Sequence, residues 1–392
     1  MKKTLIALAA LATVSGAALA QSSVEIYGYL DVGVAKLKSG QMGVNNTNYV
    51  VPASQSATAL TNSFARSGLT TNFMGFRGTE DLGGGMKATF NLQTGALDMS
   101  TGSPALAFSR EANLGLSGGF GSIKIGRSVS TMCATGCSFD YNGIGAGSAY
   151  AMIGVSAANI KASSRRSNQI EYTAPTMVPG LTARLSYVNK GDAVEDSTFS
   201  TTLGSATRTD YKAAPTVGLN YAQGPVRVAF AYEGANSDDT AKRAAQFLGA
   251  EYDFGVAKVA VSRVVNDTIG GTTATTGKTS FHSAAGATSG KGWGASLAAP
   301  IGAATVGVQY GSNTENKTKA TEMFARYSLS KRTELYSFYG QTSGTVAGTE
   351  TALVTGTTAV TAPTVTNNLN ALGLAAVPAK VGIWGAGVRH SF

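Results

Sequence analysis

The chain has 392 residues, with 31 Lys and Arg against 22 Asp and Glu, a formal charge of +9. Charged residues make up 14% of it, below the roughly 25% usual in soluble domains, and glycine reaches 49 while histidine stops at 2. This excludes a disordered chain and an ordinary soluble enzyme, and the length suits one large barrel as well as several domains.

Met1 to Ala20 reads as a secretory signal peptide. Lys2-Lys3 is a positive n-region, Leu5 to Leu11 an apolar h-region, and Ala18-Leu19-Ala20 a small-residue cleavage site. Losing Lys2 and Lys3 takes the 31 bases to 29 against 22 acids, a net +7 for residues 21–392. After Ala20 no apolar run is long enough for a membrane helix; the nearest, Ala371 to Val388, is broken by Pro378 and Lys380.

The exported part opens on an alternating segment, Ser23 to Val32. Val24, Ile26, Leu30 and Val32 share one parity, and Glu25 and Asp31 the other. The same alternation returns at Met86 to Gln93, Pro225 to Tyr232 and Met323 to Leu329, each about ten residues with its flanks, enough to cross a bilayer when tilted. Phe108 to Leu116 and Ser122 to Val129 form a further pair around Gly118 to Gly121. Short connections (Glu80 to Gly85, Gly118 to Gly121, Ala222 to Pro225, Asp253 to Gly255, Ala299 to Gly302, Leu329 to Lys331) alternate with long ones (Lys36 to Arg66, Ser130 to Ser164, Asn189 to Thr209, Asn266 to Gly290, Gln341 to Ala379). Outer-membrane barrels have that asymmetry of short periplasmic turns and long external loops. The count predicts an all-β fold, a 16-stranded antiparallel transmembrane β-barrel. Its last strand ends on Phe392, which shares a face with Trp384, Ala386, Val388 and His390.

Three enzyme-like patterns carry no chemistry. Gly115-Leu116-Ser117-Gly118-Gly119 matches a nucleophile elbow, but a strand follows it and no histidine base lies nearby. Gly271 to Thr279 resembles a phosphate loop with the wrong spacing and no helix after it. Cys133 and Cys137, the only cysteines, lack the histidines that would complete a metal site. In an exported chain a disulfide is the first choice, with two free thiols as the alternative. Neither a cofactor nor a metal is expected, and the basic excess is assigned to the barrel interior rather than to nucleic acid. Lys87, Lys124, Arg184, Arg227, Lys258, Arg326 and Arg389 alternate with apolar neighbours and are expected to line the lumen.

These segments resemble the trimeric general porins of Gram-negative outer membranes, in their betaproteobacterial and neisserial branch. The residues that carry the resemblance are Ser23 to Gly33, Gly75 to Ala88, Phe108 to Gly121, Gly126-Arg127 and Gly387 to Phe392. It implies a third long loop folded into the lumen against a ladder of arginines, a homotrimer, and contact with outer-membrane lipid and lipopolysaccharide. By motif, Arg110 and Arg166 match two ladder positions. Phe73 stands where a third arginine is usual, with Arg77 or Arg66 as substitutes, and the family's acidic Pro-Glu-Phe motif is missing. Between Ser130 and Ser164 the only acid is Asp140 and the only base Lys161. The expected function is passive diffusion of small hydrophilic solutes and ions with a preference for anions. The alternatives are a channel specific for organic anions and a secreted β-rich adhesin.

Overall fold

A computed structural model describes residues 23–39, 61–66, 68–95, 97, 107–143, 145, 147–157, 164–189, 215–234, 244–266, 291–314, 317–347 and 376–392. The expected leader, residues 1–20, lies outside them. Among the described residues, seventeen strand segments form one antiparallel sheet. In chain order they are β1 (Ser23–Ser39), β2 (Thr61–Arg66), β3 (Phe73–Gly83), β4 (Met86–Gln93), β5 (Glu111–Gly118) and β6 (Gly121–Val129). Next come β7 (Arg165–Thr173), β8 (Leu181–Val188), β9 (Pro215–Gln223), β10 (Val226–Glu233), β11 (Ala245–Asp253) and β12 (Lys258–Asn266). The last are β13 (Gly292–Ile301), β14 (Ala304–Asn313), β15 (Lys319–Ser328), β16 (Thr333–Ala347) and β17 (Ala376–Ser391).

The segments make sixteen staves because β2 and β3 share one. β2 pairs with β1 from Lys36↔Thr61 to Val32↔Arg66, and β3 continues the same course from Tyr29↔Phe73 to Ser23↔Thr79. β1 then closes on β17, from Tyr29↔Ser391 to Ser39↔Val381. The Gly28 amide donates to the Phe392 carbonyl at 3.2 Å, so the last residue of the chain completes the seam. Closure removes every sheet edge, which a bilayer demands because it offers backbone groups no water.

Alternation sets what each face shows. On β1, Val24 and Ile26 are exposed on the outside, while Asp31 and Ala35 are buried inside; on β15, Met323 faces out and Glu322 in. The tight connections fall where glycine permits positive φ, as at Gly84 and Gly85 (φ 61° and 80°) between β3 and β4. Two expected loop boundaries shift. β1 runs on to Ser39, and β16 and β17 stay paired as far as Ala347↔Ala376, inside a stretch whose Thr/Gly/Ala composition suggests a loop. Cross-strand backbone pairing keeps these ends in the sheet, and composition does not report such pairing.

Candidate pore constriction

After β6 the chain turns into the barrel. Ser130 caps a short helix α1 (Thr131–Gly136), accepting from the Cys133 amide at 3.2 Å. One 3-10 turn follows over Cys137–Phe139, and Ser148 caps a second short helix α2 (Ala149–Met152). The Ser130 amide donates to the Ser164 carbonyl at 2.9 Å and ties the loop's entry to its exit. Cys133 and Cys137 are joined by a disulfide, S–S 2.03 Å, across the end of α1.

The loop docks because the inner wall is cut back to receive it. A Cβ on Gly249 would come within 2.7 Å of the Phe139 ring, and one on Gly294 would strike Tyr150. Met132 and Phe139 bury against Ala229, Ala231, Phe247 and Val264 of β10 to β12. Tyr150, Met152 and Ile153 bury against Ala298, Phe324, Phe338 and Ile383 of β13 to β17. The loop therefore lines the far side of the lumen, and the wall of β3 and β4 keeps Arg77, Lys87 and Thr89 exposed.

Polar contacts fix this apolar seam at its middle. The Arg227 guanidinium lies 4.1 Å over the Phe139 ring, donates to Ser138 Oγ at 2.8 Å and pairs with Glu251 at 2.8 Å. Tyr141 donates its hydroxyl to the same Glu251 at 2.9 Å. Deeper in, Gln309 bridges two carboxylates, donating to Asp140 Oδ1 at 2.9 Å and Glu322 Oε2 at 2.8 Å. Ser148 also donates to Asp140, and Asn142 to Glu322 at 2.6 Å. Burial pushes the Asp140 carboxyl up to about 6 despite those donors.

Across the lumen, the inward row of β1 and β3 is aromatic. Phe73 meets Tyr27 edge-on at 5.8 Å and Tyr29 at 5.5 Å. Each ring carries an arginine: Arg77 lies 4.5 Å over Tyr27, Arg110 4.7 Å over Phe73 and Arg389 5.3 Å over Tyr29. Strict alternation would give Arg110 the lipid-facing parity of Ala112 and Leu114. It precedes β5 at a bend, and its side chain turns inward. Its Nε has no hydrogen-bond partner among the described residues, and the nearby Arg165 adds like charge. Glu111, next in sequence, is engaged by the Val129 amide at 3.0 Å and Asn113 at 2.7 Å.

The expected site residues divide on these contacts. Arg110 stands beside the loop root. Arg166 is inward but buried, paired with Glu233 at 3.3 Å, so it offers the channel no open charge. Arg77 does not replace the missing ladder arginine: it pairs with Glu25 at 2.8 Å near the short-turn end, away from Arg110. The Arg66 side chain lies outside the described residues, as does Lys161. Asp140 is no counterweight facing water; it is 5% exposed, sealed between loop and wall, because Gln309 and Ser148 replace the solvent it loses.

Among the lumen bases, Lys124 pairs with Glu171 at 2.9 Å, Lys258 with Asp253 at 3.1 Å and Arg389 with Glu334 at 2.8 Å. The expectation that Asp140 alone opposes the wall arginines is thus corrected: neighbouring strands supply the acids. Lys87, Arg110, Arg184 and Arg326 have no ion pair among the described residues, and Arg326 lies over the Phe324 ring at 5.4 Å.

A closed sixteen-stave barrel with a loop folded inside and an aqueous wall opposite is the architecture of a channel. The sequence pattern of Gram-negative porins matches residues 7–347. The chain belongs to the Gram-negative porin family. It is 32% identical over 279 residues to an outer membrane porin protein of Bordetella pertussis, covering 67% of this chain and 69% of the relative. It is 40% identical over 129 residues to outer membrane porin protein 32 of Delftia acidovorans, covering 33% of this chain and 32% of that one. In fold it is similar to an anion-selective porin from Comamonas acidovorans, with a TM-score of 0.59 and 20% identity over 95% of this chain and 100% of the other.

This porin is accordingly a passive channel of the outer membrane and not an enzyme. Sequence reasoning missed the residues that seat its loop, Gln309, Glu322, Tyr141 and Glu251. The wall acids gave a usable signal: Glu171, Glu251 and Glu334 sit on inward parities that alternation reveals as readily as it reveals the bases.

Proposed function

We propose that this porin is a general diffusion channel that prefers anions, with Arg110 as the open charge of its constriction. One observation carries this reading: Arg110 sits beside the loop root at the lumen wall, held by an aromatic face rather than by a carboxylate. Ion pairs cancel much of the remaining wall charge, so Arg110, Arg184 and Lys87, which have no ion pair among the described residues, weigh more than their number suggests. The Comamonas acidovorans porin of similar fold is anion-selective, and the same preference is inferred for this chain. The reading includes a leader over residues 1–20, assembly as a homotrimer, and a setting in outer-membrane lipid and lipopolysaccharide.

The test is the reversal potential of single channels across a salt gradient. The native protein is expected to pass anions in preference, and Arg110→Gln to move the potential toward zero. Cation preference in the native protein sinks the proposal.

A further inference from the structure

On the wall opposite the loop, register sets the inward residues of β1, β3, β4 and β5 into a grid. Glu25 stands beside Arg77, Arg77 beside Asn91 and Asn91 beside Asn113. The next row toward the short turns holds Thr79, Thr89 and Gly115. Glu25, Arg77, Thr79, Thr89, Asn91 and Asn113 line a recess of about 260 Å³ in the lumen wall. Thr89 lies flat across a glycine: a Cβ on Gly115 would come within 2.5 Å of its Oγ1. The Tyr27 ring lies over Gly75 in the same way, and the space above stays open.

Glu25 and Arg77 are the only charged residues of this lining, and they cancel. Arg77 Nε and Nη2 donate to the two Glu25 carboxylate oxygens at 2.8 and 3.0 Å. The guanidinium lies 4.5 Å over the Tyr27 ring, whose hydroxyl donates to Asn91 Oδ1 and accepts from Gln93 Nε2 at 2.8 Å. Asn113 Nδ2 is taken by Glu111 and by the Arg127 carbonyl, which leaves its Oδ1 for the recess. These contacts fix a mixed set of open groups. Arg77 Nη1 and Asn91 Nδ2 donate, Asn113 Oδ1 accepts, and the Thr79 and Thr89 hydroxyls do both; none has a hydrogen-bond partner among the described residues.

That mixture selects the chemistry of the solute. A carboxylate or phosphate only accepts, so it leaves Asn113 Oδ1 unmet and sets its charge beside Glu25. An apolar solute strips water from every group and returns nothing. A hydroxyl both donates and accepts, so a ring bearing several of them meets donors and acceptors alike. The volume falls below the roughly 300 Å³ at which sites for drug-sized ligands begin, which leaves room for one ring.

We infer that this recess is a binding site for a neutral cyclic polyol, a single hexose, on its way through the channel. It serves a class of solute that a preference for anions does not, and it stands or falls independently of that preference.

The experiment measures uptake into liposomes containing the full-length porin, with three probes: D-glucose, glucose 6-phosphate and triethylene glycol, a neutral solute poor in hydroxyls. A site that must release its solute at each passage is weak, so glucose uptake is expected to half-saturate at about 10 mM, while triethylene glycol uptake rises linearly. Asn91→Ala and Thr89→Val each remove one hydrogen bond and should raise the half-saturation about fivefold, and the double variant about twenty-five-fold. Native single-channel conductance and reversal potential show that the variant barrels are folded and that the anion preference is untouched. Glucose uptake that stays linear in the native protein overturns the site, as does saturation unchanged in the double variant. Triethylene glycol saturating like glucose overturns the role of the hydroxyls, and glucose 6-phosphate saturating at lower concentration than glucose overturns the neutral ligand.

Discussion

The Arg110 guanidinium lies 4.7 Å over the ring of Phe73, which is itself held edge-on between Tyr27 and Tyr29. An aromatic residue thus fills the place of a ladder arginine and presents its negative face to the arginine that remains. A half-buried contact of this kind stabilises by about 1 kcal/mol without cancelling the cation's charge. Phe73→Ala should destabilise the barrel by about 3 kcal/mol, since it also empties a buried site, and should weaken anion preference as Arg110 loses its fixed position. Heat unfolding and reversal potentials report the two effects separately.

The Arg227–Glu251–Tyr141 contact holds the middle of the loop to β10 and β11. Arg227→Ala leaves a largely buried carboxylate with only the tyrosine donor, and should cost about 3 kcal/mol. Tyr141→Phe removes one hydrogen bond to a charged group, about 1.5 kcal/mol. Both variants should show noisier open-channel current and admit larger neutral sugars in liposome swelling, with Arg227→Ala the stronger. Identical size limits in both variants and the native protein would contradict the clamp.

Asp140 gives the loop a pH dependence with a definite sign. Its carboxyl is raised from an ordinary value of 3.8 to about 6 by burial. A raised pKa means that the contribution of this group is fully present below about 4 and is lost as pH rises through about 6. The loop should be held more tightly at pH 5 than at pH 8. Closures and current noise should rise over that interval, and Asp140→Asn should flatten the curve near its acid limit. A curve that keeps its shape in Asp140→Asn assigns the pH response to another group.

The Cys133–Cys137 bond closes a very short loop, which in the chain-entropy model is worth about 2 kcal/mol. Reduction, or Cys133→Ser with Cys137→Ser, should lower loop stability by that order and leave the barrel's heat stability nearly unchanged. The ladder pairs that close the barrel run strand to strand and include no residue of α1. Faster proteolysis of the loop at unchanged barrel unfolding is the expected pattern.

Alternation by itself determined the barrel. Val24, Ile26 and Asp31 announce two faces, the turn glycines mark one end, and Phe392 on the face of Trp384 and Val388 announces the closing strand. These signals are local, because a strand's parity and a turn's glycine are written within a few residues. What the lumen does was decided by contacts between residues far apart in the chain. Asp140 meets Gln309, Arg166 meets Glu233 and Arg110 meets Phe73 only after the staves are in register and the loop has folded back. Parity alone would set Arg166 with the outward Ile170; the register shift between Gly126 and Ser128, with Asn168 at φ 48°, turns it inward, and that it then faces Glu233 is a second fact parity does not state. A charge's effect on a permeating ion depends on that second fact, since a paired guanidinium and an open one differ by several kcal/mol in the field they present.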